Sequence, residues 1–329
     1  MTIYFAPLEG ITDSIYRSAH HECFTGVSKY FIPFITSVNG SGLTNREKRS
    51  LLQFDCDVFC VPQILTKDAE SFVRCTRMLC ELGYDEINLN LGCPSGTVTA
   101  KGKGSALLRD TDNLKAFLDA VFAAHDLPRV SVKTRIGYTD PGNWPQIYSV
   151  LAEYPFTEII VHPRTRSEFY KGAPYKEALS VCEFENTNIV YNGDVFSPKD
   201  AFDIKRVYPD LSAVMCGRGL VANPALAREI CAGKALDKAE LKRFLTKLLY
   251  TYTNDRPEKA VLGRMDEIMS YVAAVFENSR KYLKRLRKSR YTDEFTAALD
   301  DLFDECELKS APYYDPLAFS ASASSTPVI

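Results

Sequence analysis

No apolar run in this sequence approaches the roughly 20 residues needed to span a bilayer, so no transmembrane helix and no membrane partner are expected. The opening stretch MTIYFAP has neither the basic n-region nor the cleavage site of a signal peptide, and a cytoplasmic protein is the expectation. An excess of positive charge is also missing. Lys and Arg number 40 against 42 Asp and Glu, a net charge of −2. That excludes a molecule that is basic as a whole, so any nucleic-acid partner must be held by a local patch. There are ten cysteines but no CxxC pair. The spacings Cys56/Cys60 and Cys75/Cys80 match no zinc pattern and have no histidine nearby, so no metal is expected. In a reducing compartment most of these thiols should be small buried apolar side chains. No internal repeat of fixed period is present.

What is present is alternation. Short apolar runs at 3–6, 30–36, 58–64, 86–91, 130–134, 158–162, 189–192 and 213–216 read as strands. Amphipathic stretches lie between them. The segment 13–23 opens with Asp13 as N-cap, and 67–82 places Phe72, Cys75, Leu79 and Leu82 at helical spacing. The segment 112–124 does the same with Leu114, Phe117, Leu118 and Val121. Ser197 and Pro198 supply the N-cap and first turn of a helix over 199–207. Eight strands interleaved with helices imply a parallel sheet. About 230 residues is the size of a closed (β/α)₈ TIM barrel. A chain of 329 residues exceeds one such unit. Strand signals stop near residue 234, and 236–253, 259–277 and 293–303 read as helices. The expected organisation is therefore a catalytic barrel at 1–235, a smaller all-helical domain at 236–308 and a disordered tail at 309–329, within the Ser-rich stretch from Ser310.

Chemistry on such barrels sits at the carboxyl ends of the strands. Those positions are unusually polar. They hold Pro7, Leu8 and Glu9; Gln63; Asn88, Asn90 and Cys93; Lys133 and Arg135; His162, Arg164 and Arg166; Asn192, Gly193 and Asp194; and Gly217 and Arg218. Gly193 and Gly217 permit close backbone approach, and Arg218 adds charge, which suits a phosphate after strands seven and eight. Gln63 and Lys133, deeper in the mouth, suit a ring system with carbonyls and a reactive nitrogen. Flavin mononucleotide meets both demands. Cys93 is set apart from the other cysteines by its place after the fourth strand, and the Gly- and Lys-rich loop 98–106 reads as a lid over substrate.

In these segments the chain resembles the tRNA-dihydrouridine synthase family. The resemblance runs through APLEGITDSIYR (6–17), NLNLGCPSGTV (88–98), GKGSALL (102–108), VKTRIG (132–137), VHPRTRSEFYKG (161–172), NGDV (192–195) and CGRGLVANP (216–224). It implies an oxidoreductase that reduces the 5,6 double bond of uridine in tRNA. NADPH would reduce FMN, hydride would pass to C6, and Cys93 would donate a proton to C5. It places FMN at Pro7, Leu8, Glu9, Gln63, Lys133, His162, Asn192, Gly193, Asp194, Gly217 and Arg218. Asn90 and Arg166 would contact uracil or phosphate. Leu8, often methionine in the family, and Pro163, often glycine, depart from the pattern.

A uridine in folded RNA must be extruded to reach a barrel mouth. That calls for a basic surface, expected from Lys101, Arg264 and the run RKYLKRLRKSR (280–290), in particular Arg285 and Arg287. Tyr282, Leu283 and Leu286 in that run are spaced to pack inward. The alternative is a flavin enzyme for free pyrimidines on a dihydroorotate-dehydrogenase-like barrel. Gly92-Cys93-Pro94 and the basic helical segment are features that such a small substrate does not require. A monomer is the expectation from the family.

Overall fold

The computed structural model describes residues 1–36, 42–51, 59–185 and 187–310. Cys56 and the tail 311–329 lie outside them. Among the described residues no helix is long and apolar enough to cross a membrane.

Eight strands close into a parallel barrel in sequence order: β1 Ile3–Phe5, β2 Val27–Ile35, β3 Cys60–Ile64, β4 Glu86–Leu91, β5 Arg129–Arg135, β6 Ile159–His162, β7 Ile189–Tyr191 and β8 Ala213–Cys216. Side chains alternate across a strand, so one parity faces the barrel interior. Tyr4, Ala6, Phe31, Val61, Ile160, Val190, Ala213 and Met215 form that interior cluster. The opposite parity, such as Ile159 and Val161, joins the larger core under the helices. The interior parity continued upward places Gln63, Asn90, Lys133, His162, Asn192 and Gly217 around one rim. Register brings Asn90 opposite Lys133 and Arg135 opposite His162.

The lower end of the barrel is closed by charge. Lys29 Nζ lies 3.0 Å from both Glu86 and Glu158 carboxylates, and the Tyr4 hydroxyl donates to Glu158 at 2.6 Å. A ladder of amides climbs from there. Ser131 Oγ donates to Glu86, Asn88 donates to Ser131, Gln63 donates to Asn88 at 2.7 Å, and Asn90 donates to Gln63 at 2.6 Å. Buried polar groups of this kind are tolerated because each finds a partner.

Side-chain caps set where several helices begin. Asp13 caps α1 (Ser14–Cys23), Asp68 caps α3 (Ala69–Glu81), and Asp110 caps α5 (Thr111–Phe122). The short helices α2 (Asn45–Leu51) and α4 (Gly96–Thr99) follow β2 and β4. Helix α6 (Trp144–Ala152) lies outside the helices expected from sequence. Pro141, Gly142 and Pro145 obscure it, although Trp144, Ile147, Tyr148 and Leu151 have helical spacing. After β6 the crossover carries, among the described residues, only a 3₁₀ turn, Lys176–Val181. Ser197 caps α7 (Pro198–Val207) through a capping box with Asp200. Two short helices, α8 (Arg218–Ala222) and α9 (Leu226–Ala232), follow β8.

The remaining helices are α10 (Lys238–Asp255), α11 (Glu258–Val272), α12 (Arg280–Lys288) and α13 (Thr292–Glu305). The helix expected over 259–277 ends at Val272 and tightens into a 3₁₀ turn, Ala273–Val275. Phe276 then leaves it to bridge Leu308. Helix α10 packs on α1 through Phe244, edge-on to Tyr16 and Phe24 at 5.6 and 5.3 Å. Asp13 joins the two parts. It accepts from Tyr252 Oη at 2.8 Å and from Arg256 at 2.7 Å.

Candidate functional site

Cys93 begins a loop whose backbone is held from every side. Asn90 Oδ1 accepts the N–H groups of Gly92 and Cys93 at 3.0 and 2.8 Å. The Cys93 carbonyl accepts Ser105 Oγ at 2.8 Å and Ser105 N–H at 3.2 Å. Arg135 Nε donates to the Gly92 carbonyl, and Arg166 Nε to that of Pro94, each at 3.0 Å. Gly104 turns at φ +61, and a Cβ there would stand 3.0 Å from the Cys93 carbonyl oxygen. Only glycine combines that turn with that approach. Such fixation matters for a proton donor, since an ångström of misplacement costs rate. The thiol itself is buried, and burial pushes it up, opposed by the Ser95 backbone N–H and the charges of Arg135 and Lys133. It is therefore protonated at neutral pH.

Lys133, on the next strand, makes no hydrogen bond or ion pair among the described residues. Burial first, and the Arg135 charge second, bring its ammonium down to about 7. Such a group is poised to donate to an acceptor brought in from outside. Burial and four surrounding cations hold His162 well below the usual imidazole range, so it is neutral. Its ring lies 5.9 Å from Tyr170.

The ends of β7 and β8 converge on Asp194. Its carboxylate takes Arg164 at 2.5 Å and Arg218 at 2.7 Å. Arg164 is fully buried and also donates to the Gly172 carbonyl. Asp194 thus orients two guanidinium groups. Asn192 is anchored to the Met215 carbonyl at 2.9 Å. Gly193 has no room for a side chain, because a Cβ would collide with Tyr191 Oη. The backbone N–H groups of Gly193, Asp194, Arg218 and Gly219 find no acceptor among the described residues. Four such donors beside Arg218 suit a phosphate. Ala6, Leu8 and Gly217 line the approach with apolar surface, the first two lying 3.4 and 3.7 Å from where a Cβ on Gly217 would be. Pro7 lies beside them on the same β1 loop, where Glu9 also pairs with Arg46. The residues present therefore fit a flavin nucleotide, whose phosphate the ends of β7 and β8 would hold and to which Lys133 could donate. At Pro163 the carbonyl accepts Tyr175 N–H at 2.7 Å.

The residues expected to meet substrate divide into three groups. Lys101 is exposed at the rim, without an ionic partner among the described residues. Asn90 and Arg166 spend most of their hydrogen bonds on the Cys93 loop. Arg264 sits at the junction of the two parts, facing Asp13 at 3.9 Å and Glu267 at 3.7 Å. It lines a cleft of about 720 Å³ with Glu9, Arg46, Arg49 and Arg256. Arg285 and Arg287 lie on α12, paired with Asp301 and Asp266.

Three residues at the mouth had no assigned role from sequence. Arg135 bridges the Gly92 and Thr165 carbonyls. Arg164 holds Asp194. Tyr170 lies between Arg218 at 4.4 Å and Arg135 at 5.4 Å. Period-two parity on β5 singles out Arg135 together with Lys133. Arg164 and Tyr170 come from an irregular loop, where no periodicity could mark them.

Comparison with known proteins matches this arrangement. The model of the dihydrouridine synthase (Dus) family matches residues 4–310. A tRNA-dihydrouridine synthase B from Shewanella oneidensis is 30% identical over 228 residues, covering 68% of this chain and 69% of that protein. A probable tRNA-dihydrouridine synthase from Staphylococcus aureus (strain COL) is 28% identical over 267 residues, 76% and 78% of the two chains. A tRNA-dihydrouridine(16) synthase from Pseudomonas syringae pv. tomato is 29% identical over 252 residues, covering 71% and 76%. Among solved structures, the old yellow enzyme homologue of Zymomonas mobilis superposes with a TM-score of 0.50 at 12% identity, covering 71% of this chain and 89% of that one, a likeness of fold. With its barrel, its Cys93 loop and a family match spanning nearly all the described residues, this chain belongs to the dihydrouridine synthase family.

Proposed function

We propose that this protein reduces uridine to 5,6-dihydrouridine in tRNA, with Cys93 as the acid. The observation that carries the reading is the clamped Cys93 loop facing a strand-end set suited to a flavin phosphate and ring. The names of its relatives support tRNA as the substrate. Pro7, Leu8, Glu9, Gln63, Lys133, His162, Asn192, Gly193, Asp194, Gly217 and Arg218 would hold FMN, which, once reduced by NADPH, would supply the hydride for C6 of uracil.

The chain's own residues do the rest. Lys133 and neutral His162 donate to electronegative atoms in the mouth, and the Gly193, Asp194, Arg218 and Gly219 N–H groups take the phosphate. Hydride addition at C6 leaves charge on C5 and O4. Cys93 then protonates C5, and the resulting thiolate recovers a proton from solvent. A raised thiol pKa suits this acid, because it keeps the proton available at neutral pH. The base must leave its stack to arrive there, which selects an RNA loop over a paired stem.

Purified protein should be yellow and release FMN on denaturation. With NADPH and an unmodified tRNA transcript it should form dihydrouridine at a discrete position, mapped by reverse transcription or mass spectrometry. Protein that binds no flavin, or flavoprotein that leaves the transcript unchanged, contradicts the proposal.

A further inference from the structure

The rim beside Cys93 carries lysines that nothing in the reaction uses. Lys67 follows β3, and Lys101 and Lys103 flank Gly102 in the loop before the 3₁₀ turn Gly104–Arg109. Gly102 turns at φ +74, and a Cβ there would touch Lys67 Cδ at 3.2 Å and lie 3.5 Å from its Nζ. The absence of that side chain lets Lys67 lie along the loop. Lys103 Nζ donates to the Thr36 carbonyl at 3.1 Å. Its ammonium is held down by burial and by the charges of Lys101 and Lys67, so the three cations act on one another. None has a carboxylate partner among the described residues, whereas other exposed barrel cations such as Arg77, Lys115, Arg129 and Lys199 do. Lys67 and Lys101 are exposed. Three like charges held together without a counter-ion cost energy unless an anion joins them. Gly104, next in sequence to Lys103, packs so closely on Cys93 that a Cβ there would meet its carbonyl oxygen, so an anion held by the lysines would lie on the Cys93 side of the rim.

We infer that Lys67, Lys101 and Lys103 form a phosphodiester clamp that grips the RNA backbone next to the extruded uridine. The inference rests on the tRNA reading above and adds where the strand is held. The clamp contributes sequence-independent affinity and fixes the strand so that the base enters over Cys93.

The test is binding of an unmodified tRNA transcript to the flavin-loaded protein, by anisotropy between about 50 and 200 mM KCl. Changing all three lysines to alanine should weaken binding roughly 10- to 100-fold near 0.1 M salt and flatten the log–log salt slope by about 2 to 3. The triple arginine variant, which keeps the charge, should retain the wild-type slope. Should loss of the Lys103–Thr36 bond unfold the alanine variant, the exposed pair Lys67→Ala and Lys101→Ala should flatten the slope by about 2. An unchanged slope in a folded variant overturns the inference. So does a variant with wild-type tRNA affinity that needs more NADPH to reduce its flavin, since the lysines would then serve the dinucleotide phosphate. Wild-type protein that binds no tRNA removes the functional reading and the clamp with it.

Discussion

Helix α12 and the loop around Lys101 both concentrate positive charge, and they hold it in opposite ways. In α12 the charge is dense, yet Arg287 faces Asp266 at 3.3 Å and Arg285 faces Asp301. Tyr282 and Leu286 are buried beneath it, and Leu283 is half-buried. Two of its six basic side chains are thus used in packing one helix on another. At the barrel mouth the cations come from separate strand ends and loops. Arg135 and Arg166 are committed to backbone carbonyls, Arg164 and Arg218 share one carboxylate, and Lys67, Lys101, Lys103 and Lys133 have no ionic partner among the described residues. Charge available to a ligand depends on its surroundings more than on its density along the chain.

The largest expected effect at the mouth is geometric. Gly104→Ala forces a side chain into contact with Cys93 at a left-handed backbone position. Uridine reduction should fall on the order of 100-fold while flavin stays bound. Wild-type turnover in that variant would show that the loop tolerates displacement. Next comes the buried ion pair. Arg164→Met strips Asp194 of its fully buried partner and should cost about 3–5 kcal/mol in urea unfolding. A cost near zero would place Arg164 among the dispensable cations.

Lys133 offers a pH test. Its ammonium sits near 7 in the folded protein against 10.5 for the free side chain. Within that window the unfolded chain binds the proton and the folded chain does not, so this residue makes flavin-free protein more stable as pH rises. Lys133→Met should remove that slope, so the variant's advantage at pH 7 narrows toward pH 10, and flavin affinity should drop roughly 10-fold. A stability difference that ignores pH would mean that Lys133 is not desolvated.

The smallest effect belongs to α12. Arg285→Ala with Arg287→Ala should change stability by no more than about 1 kcal/mol per pair lost and tRNA affinity less than about threefold. A larger loss of affinity would reverse the contrast with the mouth.

These regions also differ in how legible they were. Strand parity and the strand ends pointed to the barrel, to Lys133 and to the position of Cys93, because period-two alternation is a local property. Ser197 and Pro198 marked α7 for the same reason. Helix α6 was hidden by Pro141 and Pro145, whose breaking signal is stronger than the apolar spacing behind it. The sequence shows Arg285 and Arg287 as part of a basic run, and their pairing is not legible there because Asp266 and Asp301 are distant in sequence. Asn90 and Arg166 were expected at the substrate, but their bonds to Gly92, Cys93 and Pro94 are tertiary contacts that spacing cannot reveal. Tyr170 and Arg164 belong to a loop with no period to read.

The most direct measurement is a single turnover without oxygen, mixing reduced, flavin-loaded protein with unmodified tRNA and following both flavin oxidation and dihydrouridine. Wild-type protein should oxidise its flavin as dihydrouridine forms. Cys93→Ala should keep its flavin and slow on the order of 100-fold or more. Equal rates in the two proteins would contradict the assignment of Cys93 as the proton donor.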